Sequence, residues 1–410
     1  MNHSSSTQLP MDQALRLLIP TLYVAATTMA YALSNGTGSL HLFGGGDDSV
    51  YYLSAGEQLA SGDTSVAVTN AYVYVVAFVL SHVGSAFTIL ALRLLNLVAA
   101  GLLFWAVQDL TKNADTAGVS THTATYRSIR ASIPFLLYPT LLYYTTTGLY
   151  RDIWIYALFV GAAAFALRLI NRRIRPIPGS LVVASILVLL FLLRGYAAAA
   201  FVIGLALFAI HRASRSLLLP LLIVGVVGLA MLLFIPSVKI PILGRSLADI
   251  IAYRNDPATF GAGSSMGILL PANHPVNFVA LYLASLLANA FGPFPWAIHS
   301  PYLAVVFLFE SIPAMVTAVL LWRSRKSVSA GQAMLIWLAV VWLAFIALSN
   351  ANYGTACRLR VPAWLILWVI ATTKANAPTR SARCLATPDT LVHCHPPSSD
   401  SPGFTSERPN

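Results

Sequence analysis

The sequence predicts an all-α polytopic membrane protein of about ten transmembrane helices, within a range of roughly nine to twelve. Three observations lead there. Hydrophobic residues make up 57% of the 410 residues and charged residues only 10%, against roughly 25% charged in an average soluble chain. The mean hydropathy is +0.73, so a soluble fold could not cover its own surface. Apolar runs of spanning length also alternate with short basic clusters, and loops charged in this way set membrane orientation. The net charge of +11 is therefore read as a topology signal, and nucleic acid is not expected as a partner.

A spanning helix needs about 20 apolar residues. Residues 1–13 form a cytoplasmic N-terminus, and the run 14–33 is long enough to stay as the first span, with no signal-peptide layout. Further spans are expected near 86–110, 131–149, 152–170, 217–235, 302–322 and 331–349, and shorter ones at 180–193, 196–210 and 361–373. The apolar runs 71–83 and 277–291 lie at the interface or re-enter. This layout puts Lys112/Arg127/Arg130, Arg172/Arg173/Arg175, Arg212/Arg215, Arg323/Arg325/Lys326 and Lys374/Arg380/Arg383 on one cytoplasmic side. With the other cations at cytoplasmic helix ends and termini, 17 of the 25 Lys and Arg fall on that side, and eight remain: Arg93, Arg151, Arg194, Lys239, Arg245, Arg254, Arg358 and Arg360.

The transmembrane domain then covers 14–373, with outer loops at 34–85, 236–301 and 350–360. The Pro/Ser/Thr/Arg-rich stretch 374–410 lacks apolar periodicity and reads as a disordered cytoplasmic tail. Cys357, Cys384 and Cys394 fit no disulfide framework or zinc pattern. No internal repeat is visible, which argues against an inverted-repeat transporter.

Polar chemistry concentrates in the expected outer pieces. "FGGGDDSVYY" places two adjacent carboxylates, Asp47 and Asp48, after a glycine turn. Asp47, Tyr51, Ala55 and Leu59 recur every four residues, which gives them one face of a short interfacial helix. A helix cap needs one carboxylate; two suggest proton abstraction or a cation site. Arg93 and Asn96 share a face inside the second span, where an arginine costs about 2.5–3.5 kcal/mol on insertion scales. The alternatives there are snorkelling, an ion pair with an outer-loop acid, or a ligand contact. Arg151 and Asp152 occupy the tight turn between the third and fourth spans. Arg194 joins two runs expected to reach only about 20 Å each at 1.5 Å per residue, so that it sits in a sunken pocket. There it either binds phosphate, as a guanidinium does through two oxygens, or pairs with Asp152. Arg358 and Arg360 stand in an outer loop against the positive-inside tendency, spaced to cradle a phosphate or a polyanionic sugar. Loop 236–275 reads as a mobile lid, and Glu310 as a buried polar contact within a helix.

This order of an acidic pair with Tyr51 four on, "RLLN" in the next span, Asp152 at the third–fourth turn, Arg194 between short helices and late arginines resembles the GT-C superfamily of membrane glycosyltransferases. That superfamily includes protein O-mannosyltransferases and lipid A aminoarabinose transferases, and "NYGTACRLR" is more similar to bacterial polysaccharide-cluster members. The resemblance spans about residues 14–373. It implies transfer of a sugar from a polyprenyl-phosphate-linked donor to a glycan, lipid or protein acceptor on the outer face of a bacterial inner membrane. Asp47 corresponds to the catalytic base, with Asp48 beside it. Arg93, Arg151, Asp152, Arg194, Arg358 and Arg360 become substrate-binding candidates. Asp48 or Asp152 would position sugar hydroxyls or a divalent cation, the one cofactor under consideration.

Two rivals stand beside this reading, one a membrane enzyme on the same kind of lipid-linked sugar and one of a different class. An O-antigen polymerase or ligase would place the chemistry on Arg245, Arg254, Arg358 and Arg360 and make Asp47 dispensable. A lipid-linked sugar transporter would need acidic groups at the bilayer midplane, where only Glu310 qualifies.

Overall fold

A computed structural model describes residues 9–34, 48–63, 65–66, 68–83, 85–114, 121–234, 236–240, 244–256, 264–271 and 274–374. Asp47, the glycines before it and the tail from 375 lie outside the described residues. The first helices are α1 (Leu9–Leu33), α2 (Asp48–Ala60), α3 (Tyr72–Val83), α4 (Ser85–Asn113), α5 (Thr121–Leu137) and α6 (Pro139–Thr146). Then come α7 (Asp152–Ile170), α8 (Pro176–Leu193), α9 (Gly195–Ser214), α10 (Leu218–Phe234), a two-stranded ribbon (Lys239–Ile240 with Arg245–Ser246) and α11 (Leu247–Arg254). The remainder is α12 (Pro275–Phe291), α13 (Pro301–Val306) continuing through a π-helical turn at Phe307–Ser311 into α14 (Ile312–Arg323), α15 (Ala330–Ser349), α16 (Tyr353–Leu359) and α17 (Val361–Lys374).

Among the described residues, six helices are long and apolar enough to cross a membrane: Phe87–Asn113, Asp152–Ile170, Pro176–Leu193, Gly195–Ser214, Pro301–Arg323 and Ala330–Ser349. Tyr353–Leu359 and Val361–Lys374, bent by 52°, make a seventh if they form one span. The expected span at 131–149 is instead broken between α5 and α6. Pro139 removes a backbone donor and pushes the preceding residue out of helix, and Tyr138 is extended (φ −89°, ψ 98°). The helices flanking Arg194 are longer than expected, at 18 and 20 residues. "PIPG" supplies prolines that fit a first helical turn, and "HRAS" continues the last. At 1.5 Å per residue they reach about 27 and 30 Å, so short helices do not sink the Arg194 junction.

Burial separates core from periphery. Of the most apolar windows of α7 and α15, 67% is inside the protein, against 17% for α8. The run "GAAAFA" in α7 has small side chains, and α7 packs against α4 and α8 on either side. α9 crosses α15, and α17 lies against α15, α14 and α4. The unburied Leu, Val and Phe of α8 and α10 are the surface that a helix presents to hydrocarbon.

Four interruptions in helical structure meet at one buried ion pair. The Glu310 carboxylate, in the π-helical turn, accepts the Thr140 N–H from the start of α6 (2.8 Å) and pairs with Arg360 at the α16–α17 bend (3.3 Å). Arg360 also donates to the carbonyls of Ala290 and Gly292, where α12 ends. Both side chains are fully buried. A charge in hydrocarbon is tolerated only when paired and hydrogen-bonded, so these partners hold one another in place. In the polar stretch that follows α10, Ser246 and Asp249 form a reciprocal cap on α11. Arg254 donates to Ile268 O (2.6 Å), Ser285 Oγ (2.8 Å) and Ala347 O (3.4 Å). The described part of the expected lid is thereby fastened to α12 and α15.

Removing one member of a buried pair leaves an uncompensated charge, at a cost of about 3–5 kcal/mol. Arg360→Met is therefore expected to lower the melting temperature in detergent sharply, and Glu310→Met/Arg360→Met to recover part of the loss. Thermal unfolding followed by circular dichroism measures both.

Candidate functional site

Asp152 opens α7, where a helix N-terminus favours negative charge. Its turn is held from below. Arg93 in α4 donates to Thr147 O (2.9 Å) and Ser34 Oγ (3.3 Å), and Asn96 to Gly148 O (3.3 Å). Gly148 is required there, because a Cβ would run into the Tyr150 ring and crowd Ser49 Oγ. Arg93 is fully buried, and its contacts among the described residues include a backbone carbonyl, a hydroxyl and the Tyr31 ring (5.9 Å). These contacts support the turn that carries Asp152.

Two guanidiniums converge on Asp152. Arg194 is at once the C-cap of α8 and the N-cap of α9, in an extended conformation (φ −160°, ψ 94°) that breaks the helix. Its Nη1 lies 3.1 Å from Asp152 Oδ1. Arg358 comes from α16, which Asn352 caps by accepting the Thr355 N–H. Its Nε lies 3.2 Å from Asp152 Oδ2, and its Nη1 lies 2.9 Å from Asp48 Oδ2. Asp48 sits in the first turn of α2, whose next residue, Ser49, accepts the Leu149 N–H (2.9 Å). Four of the residues picked from sequence thus form one chain of charges: Asp48, Arg358, Asp152, Arg194. Arg151 stands beside it and donates to Leu193 O (2.8 Å).

Exposure within the chain is uneven. The Asp152 side chain is 2% exposed and that of Asp48 is 45%. Tyrosines wall the cluster. Arg358 lies over Tyr144 and Tyr150 (5.4 Å each), Arg194 over Tyr196 (5.3 Å) and Arg151 over Tyr52 (5.8 Å). The Tyr156 hydroxyl donates to the Arg358 carbonyl. Burial pushes the Tyr52 hydroxyl up to about 12, although Arg151 pulls it the other way. Burial, and then the like charge of Arg194, lower the pKa of the Arg151 guanidinium. Within this described cluster two carboxylates face three guanidiniums, which leaves one positive charge over. Aromatic faces around a net cation suit an anion joined to a ring or chain.

Arg360 does not join. The expected phosphate cradle fails because residues 358 and 360 are on a helical turn, where positions two apart point to opposite sides. Arg358 faces Asp152 while Arg360 faces Glu310. The helix α2 is also turned relative to the expected face. Its buried residues are Ser49, Tyr52, Ala55 and Gly56, whereas Tyr51 is exposed and bonds Thr69 (3.0 Å). Among the described residues no group of three or more His, Cys, Asp or Glu could hold a metal ion. The tyrosines were missed, although "YYTTTGLYRDIWIY" and "RGY" carry an aromatic density that marks the spot.

No family model, curated protein or solved structure matches this chain. The functional reading therefore rests on the geometry above.

Asp152 is buried between two cations, so Asp152→Asn leaves two guanidiniums facing each other at a cost of about 3–5 kcal/mol. Asp48→Asn breaks a half-exposed pair worth about 1 kcal/mol or less. Thermal unfolding of the two variants in the same detergent should rank them in that order.

Proposed function

We propose that this protein is an integral membrane glycosyltransferase of the GT-C type, which moves a sugar from a polyprenyl-phosphate-linked donor to a glycan, lipid or protein acceptor. The observation that supports this best is the convergence of Asp48, Asp152, Arg151, Arg194 and Arg358 at one tyrosine-lined end of α7, α8 and α9. In the same reading the chain crosses a bacterial inner membrane about ten times, with both termini in the cytoplasm. The shorter apolar helices Leu17–Leu33 and Leu218–Phe234, with the broken α5–α6 segment in place of the run 131–149, supply the additional spans in that reading.

Asp47 takes the proton of the acceptor hydroxyl as that oxygen attacks the anomeric carbon, and the bond from that carbon to the phosphate oxygen breaks. General-base catalysis of this kind contributes about 10²–10⁴-fold. The charge that develops on the departing phosphate falls to Arg358 and Arg194, which are already oriented by Asp152; fixed donors of this kind need no reorganisation as charge appears. The rings of Tyr144, Tyr150 and Tyr196 offer flat faces for a sugar or an isoprene unit. In the rival polymerase reading Arg254 does chemistry, yet its donors are spent on Ile268, Ser285 and Ala347.

Purified protein in liposomes, given a radiolabelled polyprenyl-phosphate sugar and an acceptor, should release free polyprenyl phosphate in step with product. Asp47→Asn should slow release about 100- to 10,000-fold, and Arg358→Ala should weaken use of the donor. Full activity in Asp47→Asn would overturn the assignment of the base.

A further inference from the structure

Two carboxylates hold Arg358, but not equivalently. Asp152 is buried, receives Arg194 as well, and takes the Nε edge of Arg358 (3.2 Å). Asp48 takes the Nη1 edge (2.9 Å) with 45% of its side chain open. Departure of Asp152 would strand two cations in a desolvated site, which is costly. Departure of Asp48 exchanges one half-solvated contact for water. The helix that carries it does not depend on that contact. Ser49 still accepts the Leu149 N–H, and Tyr52, Ala55 and Gly56 remain packed against α3 and Leu149.

The seat that Asp48 fills has a defined chemistry. It is one edge of a guanidinium, flanked by the rings of Tyr144 and Tyr150, with Arg194 and Arg151 behind it. A guanidinium edge takes carboxylate or phosphate oxygens through the same N–H donors. With Asp48 in place the described cluster carries one excess positive charge. With Asp48 withdrawn it carries two, which accommodates the single charge of the donor's phosphodiester and matches the phosphate monoester that leaves at neutral pH.

We propose that Asp48 is a placeholder for the substrate phosphate: its carboxylate occupies the anion seat of Arg358 in the empty site, and a phosphate enters by exchanging with it while Asp152 stays. The proposal rests on the phosphate-binding reading above and gives the two acids separate tasks. Asp152 positions Arg194 and Arg358. Asp48 is a positioning residue that competes with ligand, keeps Arg358 paired between turnovers and helps to expel the doubly charged product.

The test measures binding of farnesyl phosphate, a short polyprenyl monophosphate, and separately of inorganic phosphate, to detergent-solubilised full-length protein at fixed ionic strength. Removal of a competing contact of this kind is expected to tighten farnesyl phosphate binding about twofold to fivefold in Asp48→Asn, with Asp48→Ser moving the same way. Asp152→Asn should weaken it, and Arg358→Ala should weaken it most. If inorganic phosphate tightens in parallel but binds far more weakly, the lipid chain adds its own contacts and the donor is the source of the phosphate. Unchanged or weaker binding in both Asp48 variants overturns the exchange, even if sugar transfer proceeds. Loss of transfer activity in liposomes together with no farnesyl phosphate binding by wild type overturns the phosphate reading itself.

Discussion

The site depends on a single carboxylate that two arginines share. Asp152 is at the start of α7, almost wholly removed from solvent, with Arg194 on one oxygen and Arg358 on the other. Neither guanidinium could stay so deeply enclosed alone, since an unpaired charge in a low-dielectric interior costs several kcal/mol. The carboxylate in turn gains from the α7 N-terminus. This arrangement links three segments far apart in sequence. Arg194 fixes where α8 hands over to α9, Arg358 fixes where α16 docks, and the Thr147–Tyr150 turn, braced by Arg93 and Asn96, holds Asp152 between them.

Broken helices make this possible. A continuous helix offers its side chains around a cylinder and hides its backbone, so it cannot aim an arginine along its axis. Arg194 achieves its direction by leaving helical geometry for one residue. Arg358 achieves it by lying on a seven-residue helix that bends by 52° into α17. The same bend sends Arg360 the other way, into the pair with Glu310. Two arginines that look redundant along the chain therefore serve different ends: one orders a tyrosine-lined cluster with a half-exposed edge at Asp48, and the other neutralises a carboxylate inside the protein.

Much of the helical framework was legible because lipid imposes a simple rule, that long apolar runs must be helical. Asp152, Arg151, Arg194 and Arg358 were legible because charge is scarce in this chain, and each stands at a turn or junction on the side away from the basic clusters. What escaped reading depended on contacts. The phase of α2 is set by Ser49 meeting Leu149 and Gly56 meeting Val76, and neither partner is visible in the local pattern of Asp47, Tyr51 and Ala55. Arg93 offered snorkelling, an ion pair or a ligand contact as readings, and its hydrogen bond to the Thr147 carbonyl 54 positions on is not visible in the local pattern. α8 and α9 extend past the apolar runs 180–193 and 196–210, because prolines fit a first helical turn and the polar His211–Ser214 stretch continues the last. The tyrosine walls were overlooked because aromatic residues are ordinary in a membrane chain until a guanidinium is found above them.

The Glu310–Arg360 centre bears on how the molecule is made. Its acidic half lies fifty positions ahead of its basic half in the chain, and both must enter the bilayer during synthesis. A lone ionisable group near the middle of an inserting helix carries a penalty of about 2.5–3.5 kcal/mol. During biogenesis the segment bearing Glu310 therefore reaches the insertion machinery before its counter-ion, which comes with the bent pair carrying Arg360. Closure of this centre joins the ends of α6 and α12, the π-helical turn and the α16–α17 bend in one event. Maturation of the early segments is thereby made conditional on delivery of a late one.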